Sequence, residues 1–153
     1  MIEPGTKAPD FKLPDQDGNE VSLSDFADKK LVLVFYPLDF SPVCTDQLSL
    51  YQEVVSELEA QGAALVGISV DSSYAHHAFR EQLNLTIPLL ADFHPKGEVA
   101  AAYGALIEER GHANRSLVLI DEDGTVAFSM AAPTPLEIPG ANVIFDALDA
   151  AAV

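Results

Sequence analysis

The sequence predicts an α/β sandwich, a mixed β-sheet with helices packed against it. Three observations carry this expectation. Residues 31–36 (LVLVFY) form a continuous apolar run, β-branched and aromatic at its centre, as expected of a strand covered on both faces. Residues 44–61 change to helical spacing, with Leu48, Tyr51, Val55 and Leu58 recurring every three or four positions. Late in the chain, residues 116–120 and 125–130 flank an Asp-Glu-Asp-Gly turn, a hairpin signal. Strands alternating with helices and then closing in a hairpin define the class.

In chain order, residues 1–10 are an irregular lead-in. Residues 11–13 and 20–23 read as a hairpin about the turn 15–19, where Asp and Gly supply the turn chemistry. Ser24 is the expected cap of a short turn through Phe26. The central strand 31–36 leads into a polar, proline-flanked loop and then the helix 44–61, stopped by Gly62. Residues 64–70 (ALVGISV) are a second core strand, and Asp71, Ser72 and Ser73 cap a helix over 74–83. A short strand over 88–91 precedes a short helix over 97–103, and 110–114 read as a loop. After the hairpin, Pro133, Pro135 and Pro139 stiffen a connector into an amphipathic helix over 141–151, with Ile144, Leu148 and Ala151 on one face. No repeat or linker divides the chain, so one domain spanning 1–153 is expected, about the size that a single core supports. An early strand–cysteine–helix unit with a late hairpin resembles a thioredoxin-like core, here with an N-terminal hairpin extension.

Composition excludes several function classes. Twenty-four acidic residues against eight Lys plus Arg leave a net charge of −16. That disfavours sequence-independent nucleic-acid binding, which needs phosphate-neutralising bases, and attachment to anionic membranes. The acidic surface maintains solubility, and a sharper expectation is adaptation to high salt. The apolar runs fall far short of the roughly 18 residues of a membrane span. The opening residues show neither a basic nor an apolar leader region, so a cytoplasmic home is expected. The one cysteine cannot form an intrachain disulfide, which fits a reducing compartment.

That cysteine, Cys44, follows the central strand and opens a helix. A thiol attacks as thiolate, and three features favour the anion. The first helical turn offers unpaired N–H groups and the positive end of the dipole. Ser41 carries a hydroxyl able to donate to the sulfur or to a bound oxygen. A nearby cation must come from three arginines, of which Arg115, immediately before the strand 116–120, stands at an end of the sheet. Pro37 and Pro42 remove two backbone donors from the loop, so the N–H groups of Val43 and Cys44 can be aimed at one target. This arrangement suits a small substrate with adjacent oxygens.

The spacing Pro37-x-x-x-Ser41-x-x-Cys44 resembles the peroxiredoxin active-site signature. The likeness extends in order through APDF (8–11), FYP (35–37), GISVD (67–71), IPLLAD (87–92), AYG (102–104) and Arg115 leading into LVLID. Within that family the chain is most similar to the one-cysteine alkyl hydroperoxide reductase E type. The resemblance implies that Cys44 is the peroxidatic nucleophile, that Pro37 shields it, that Ser41 orients the peroxide and that Arg115 stabilises thiolate and transition state. Val43, Phe40 and Gln47 complete the expected substrate-binding set. Gln47 departs from the pattern, since many relatives carry glutamate there. The implied partners are a peroxide and an external thiol, or a thioredoxin- or glutaredoxin-like reductant, because no second cysteine exists to resolve a sulfenic acid. A homodimer contacting through exposed Phe40 is expected by analogy. Two rivals are a disulfide reductase, which the missing CxxC opposes, and a non-catalytic thioredoxin-like sensing or binding module.

Other candidates are set aside. His76 and His77 point to different faces of one helix, and no zinc-ligand spacing occurs, so no metal is expected. Asp39 reads as a solvated loop carboxylate. Asp121 to Gly124 is a turn without the later ligands of a calcium loop. No dinucleotide fingerprint is present, and no cofactor is expected.

Overall fold

The central strand runs between two apolar layers, and everything else follows from covering both of its faces. The computed structural model describes residues 1–152; the expected domain end at Val153 lies outside the described residues. In chain order the elements are β1 (Lys12–Pro14), β2 (Glu20–Ser22), a 3-10 turn (Leu23–Phe26), β3 (Lys30–Phe35), α1 (Pro42–Gln52) and α2 (Val55–Ala60). Then come β4 (Ala63–Ser69), α3 (Ser73–Leu83), β5 (Leu89–Ala91), α4 (Glu98–Ala102), β6 (Leu106–Ile107) and β7 (His112–Ala113). β8 (Ser116–Ile120), β9 (Val126–Ala131) and α5 (Ala141–Ala151) complete the chain.

Five strands form the main sheet in the order β5-β4-β3-β8-β9. β3, β4 and β5 are mutually parallel, while β8 runs antiparallel to β3 and pairs Ser116 with Phe35. Strand side chains alternate between faces. Val32, Val34 and Tyr36 therefore pack with α1, α2, α3 and α5, through Leu48, Tyr51, Leu58, Phe79, Ile144 and Leu148. Leu31, Leu33 and Phe35 pack on the opposite face with α4 and the N-terminal segment, through Val99, Tyr103, Phe11 and Leu13. Each such fully buried side chain contributes roughly 1.5–3 kcal/mol of hydrophobic stabilisation. This is the mixed α/β, thioredoxin-like architecture with the β1–β2 hairpin as its N-terminal addition.

Local chemistry accounts for the boundaries, including three that differ from expectation. The expected continuous helix over 44–61 is two helices. Glu53 and Val54 bond back three residues to Leu50 and Tyr51, and Val54 leaves helical geometry ahead of a second β-branched residue. The cap of the first 3-10 turn is Ser22 rather than Ser24, because the Ser22 N–H donates to Asp25 Oδ2 at 2.8 Å. The expected loop 110–114 contains a strand, since Leu106 and Ile107 pair with Ala113 and His112. Two pairs are too few to show alternation in a sequence. The cap of α3 is as expected, with Ser72 Oγ accepting from the Ala75 N–H. Asp92 performs the same service for α4, accepting from Val99 and Ala100; burial is the main cause pushing its carboxyl above the ordinary range.

Candidate active site

β3 ends at Phe35, and residues 37–41 carry the chain across the C-terminal edge of the sheet into α1. Ser41 is the N-cap of α1, extended at φ −69°, and Pro42 takes the first helical position, where a missing N–H costs nothing. Val43 and Cys44 follow, and their N–H groups fall in the turn that has no intrahelical acceptor. The first turn contains no acidic residue to oppose an anion there. Cys44 is fully buried and in no disulfide.

The cation reaches this point by strand register. Leu117 and Leu119 face the α1 side of the sheet, and Val118 and Ile120 the other. Arg115 shares the parity of Leu117, so its side chain emerges on the α1 face. Antiparallel pairing of β8 with β3 sets Arg115 beside the edge where α1 begins. Its guanidinium is buried. Arg115 Nη1 donates to Cys44 Sγ at 3.4 Å and to Gln47 Oε1 at 2.5 Å, and Nε donates to the Pro135 carbonyl at 3.0 Å. Gln47, one turn after Cys44, is itself fully buried and donates through Nε2 to Tyr51 Oη at 3.1 Å. The Tyr51 hydroxyl donates to the Pro139 carbonyl at 2.6 Å. Burial pushes the Tyr51 phenol up, with its hydrogen bond to Gln47 and the charge of Arg115 pulling the other way. The proline connector thus supplies two carbonyls that fix the network from outside. Gln47 does not break the arginine network. It joins it as a neutral acceptor.

The remaining predicted residues occupy separate places. Pro37 is buried at the start of the loop, and Val43 is half-buried in the first turn of α1. The Ser41 hydroxyl donates to the Leu38 carbonyl at 2.9 Å rather than to sulfur. This leaves its oxygen lone pairs available as acceptors. Phe40 is 47% exposed, at φ +67°, and its ring meets Phe79 edge-on at a centroid distance of 5.1 Å.

Asp39 overturns its expectation. It is only 8% exposed, and both carboxylate oxygens are engaged: Oδ1 accepts from Tyr36 Oη at 2.6 Å, and Oδ2 lies 2.7 Å from His76 Nδ1. Burial first, then the Asp39 charge, pushes the Tyr36 phenol well up, so it remains a donor. The Asp39 N–H donates to Asp71 Oδ2, which also accepts from Ser69 Oγ. Asp39, Asp71 and His76 bring three metal-ligating atoms within 4.8 Å, but those of Asp39 and His76 are saturated by these bonds and by the Leu90 carbonyl. His76 and His77 diverge as expected, the first fully buried and the second exposed beside Asp17 and Glu81.

The chain is similar to known proteins over most of its length. The model of the AhpC/TSA family matches residues 4–129, a span that holds both Cys44 and Arg115 but not the connector carbonyls. The alkyl hydroperoxide reductase E of Mycobacterium tuberculosis is 37% identical over 130 residues, covering 84% of this chain and 85% of its own. Among solved structures, peroxidoxin BcpB of Mycobacterium tuberculosis superposes with a TM-score of 0.86 at 29% identity, over 98% of both chains. AhpC of Enterococcus faecalis gives a TM-score of 0.91 at 28% identity, over 99% of this chain and 93% of its own.

Proposed function

The chain belongs to the AhpC/TSA family and is a peroxiredoxin, a thiol peroxidase, and from that premise we propose that its chemistry runs through Cys44 alone, in a one-cysteine cycle. The observation that carries this reading is the 3.4 Å contact from Arg115 Nη1 to Cys44 Sγ at the start of α1. A guanidinium and a helix N-terminus meet on one sulfur, the placement expected of a nucleophilic cysteine.

The thiolate attacks the terminal oxygen of a hydroperoxide. An S–O bond forms with two electrons from sulfur, and the O–O bond breaks. The departing alkoxide or hydroxide takes a proton and leaves as alcohol or water, and Cys44 becomes a sulfenic acid. Arg115 has Nη2 uncommitted among the described residues, a donor for the charge that develops on the leaving oxygen. The Ser41 hydroxyl, which donates its hydrogen bond to the Leu38 carbonyl, accepts from the peroxide O–H. The amides of Val43 and Cys44 complete the clamp, while Pro37 and Phe40 bound the loop and Gln47 orients Arg115. The sulfenic acid is returned to the thiol by two equivalents of an external thiol, or by a thioredoxin- or glutaredoxin-like protein, with release of water and a disulfide.

The peroxide substrate and thiol reductant accord with the family. The homodimer belongs to the proposal. Its support is a set of exposed apolar side chains, Leu38, Phe40, Tyr74 and Phe93, all following the C-terminal ends of β3, β4 and β5. One domain and a cytoplasmic home complete the reading. No helix among the described residues is long and apolar enough to cross a membrane, and a lone free cysteine suits a reducing compartment.

The test is stopped-flow oxidation of the reduced protein by hydrogen peroxide and by a bulky organic hydroperoxide, with mass spectrometry of Cys44. Rapid gain of one oxygen at Cys44, abolished in Cys44→Ser, is expected. A rate no greater than that of free cysteine overturns the reading.

A further inference from the structure

The helix α3 holds the loop 37–41 at two points one turn apart. His76 reaches Asp39 at 2.7 Å, and Phe79 packs edge-on against Phe40 at 5.1 Å. The second of these grips falls on the one bulky residue of the loop in left-handed backbone geometry, Phe40 at φ +67°. A side chain with a Cβ resists that conformation and keeps it only where its surroundings over-determine it.

The chemistry of the first grip is defined by its partners. His76 is fully buried. Its Nε2 faces the Leu90 carbonyl at 3.0 Å, a group that only accepts, so Nε2 carries a proton. Its Nδ1 faces a carboxylate oxygen, so a second proton lies between His76 and Asp39. The other Asp39 oxygen takes the Tyr36 hydroxyl, and the Asp39 N–H is held by Asp71. Thus the side chain and backbone of one loop residue are both tied to groups behind the loop. The adjoining residue on one side, Leu38, supplies the carbonyl that takes the Ser41 proton. A buried polar pair is a costly way to fill space, and apolar packing would fill it as well. What the pair adds is direction.

We propose that His76 is a positioning residue for peroxide reduction: acting through Asp39, it holds residues 37–41 in the strained shape that presents Ser41 and Pro37 at Cys44. Neither His76 nor Asp39 touches the sulfur in this structure. Their effect falls on the loop, and therefore on reactions that need the loop. This inference rests on Cys44 being the peroxide nucleophile.

The experiment compares two reactions of Cys44 in the full-length protein. Oxidation by hydrogen peroxide needs the clamp; alkylation by iodoacetamide uses the same sulfur, once the loop lets the reagent reach it, and does not use the clamp. Both rates and the melting temperature are measured for the wild type, Asp39→Asn, His76→Leu and His76→Gln. In Asp39→Asn and His76→Leu, the peroxide rate should fall at least tenfold while alkylation is unchanged or faster. His76→Gln, whose amide can donate to Asp39, should recover part of the loss. A peroxide rate within twofold of wild type in Asp39→Asn overturns the proposal, as does a parallel fall of both rates by the same factor. Should His76→Leu not fold, Asp39→Asn decides alone. A wild-type protein that reacts slowly with peroxide overturns the underlying reaction instead, which separates the two failures.

Discussion

Gln47 and Arg115, 68 residues apart in sequence, meet at 2.5 Å with both side chains buried. The amide oxygen accepts from the same guanidinium nitrogen that reaches Cys44. Gln47 also donates to Tyr51, so its amide is used at both ends. Gln47→Leu keeps the volume and removes both bonds. The variant should lose about 1–3 kcal/mol of stability, since Arg115 and Tyr51 are left short of partners in a buried setting. Its peroxide rate should fall about tenfold, the effect of ~1.4 kcal/mol on the barrier. Thermal melts and stopped-flow rates on the same preparation check this, and an unchanged rate would mean that Arg115 is positioned by Pro135 alone.

Arg115→Lys retains the charge and loses the fork. Three acceptors, Cys44 Sγ, Gln47 Oε1 and the Pro135 carbonyl, lie around the guanidinium, and an ammonium cannot span them. The peroxide rate should drop by a factor on the order of 10²–10³, the size expected when a preorganised donor is removed. Arg115→Ala should be slower still and also less stable, because it empties a site only 2% exposed. Equal rates for Arg115→Lys and the wild type would show that charge alone suffices.

Three tyrosines set the alkaline limit of the fold. Burial, first among the causes in each, pushes the phenols of Tyr36, Tyr51 and Tyr103 above their ordinary range. Unfolded tyrosine ionises near pH ~10. The folded chain therefore keeps protons that the unfolded chain releases, and stability falls as pH rises through that range and beyond. Below it the contribution is intact. Absorbance of phenolate should show these three groups ionising together with the loss of circular dichroism. Ionisation of Tyr36, Tyr51 and Tyr103 near pH ~10 in a protein that stays folded would contradict this.

Phe40 stands 47% exposed on the loop edge, with Leu38 beside it at 41%. Phe40→Glu should shift sedimentation toward monomer if this patch forms the subunit contact. An unchanged sedimentation coefficient would move the contact elsewhere.

The net charge of −16 predicts salt dependence. Only Lys12 and Lys30 make Lys–carboxylate pairs among the described residues, so most acids repel without compensation. Melting temperature should rise between dilute buffer and molar potassium chloride. A flat series would assign the acidity to solubility alone.

Much of this was legible in the chain because it is written locally. Leu31 to Tyr36 is apolar at every position, and only a strand between two layers uses such a run. Cys44 follows a proline at the opening of a helical pattern, and Arg115 precedes a strand marked by its hairpin turn. Asp39 was not legible. It lies among polar residues in a loop, and what buries it is His76, 37 residues later, on a helix whose inward face shows in sequence only as the pair His76 and Phe79. The break at Glu53 and Val54 was hidden too, since the apolar spacing of Tyr51, Val55 and Leu58 continues through it while the backbone does not. Nothing in the connector 133–139 marks the carbonyls of Pro135 and Pro139 as partners, because a backbone acceptor carries no residue signature.

The pairing of Ser116 with Phe35 decides on which side of the sheet Arg115 emerges. Strand register advances only in whole residues, and each step inverts the side chain. The approach of guanidinium to sulfur consequently has no intermediate settings along this strand. A single-residue deletion in β8 would send the cation to the α4 face while leaving nearly every strand bond available to re-form. Such a protein would be a folded molecule with its reagent facing the wrong wall.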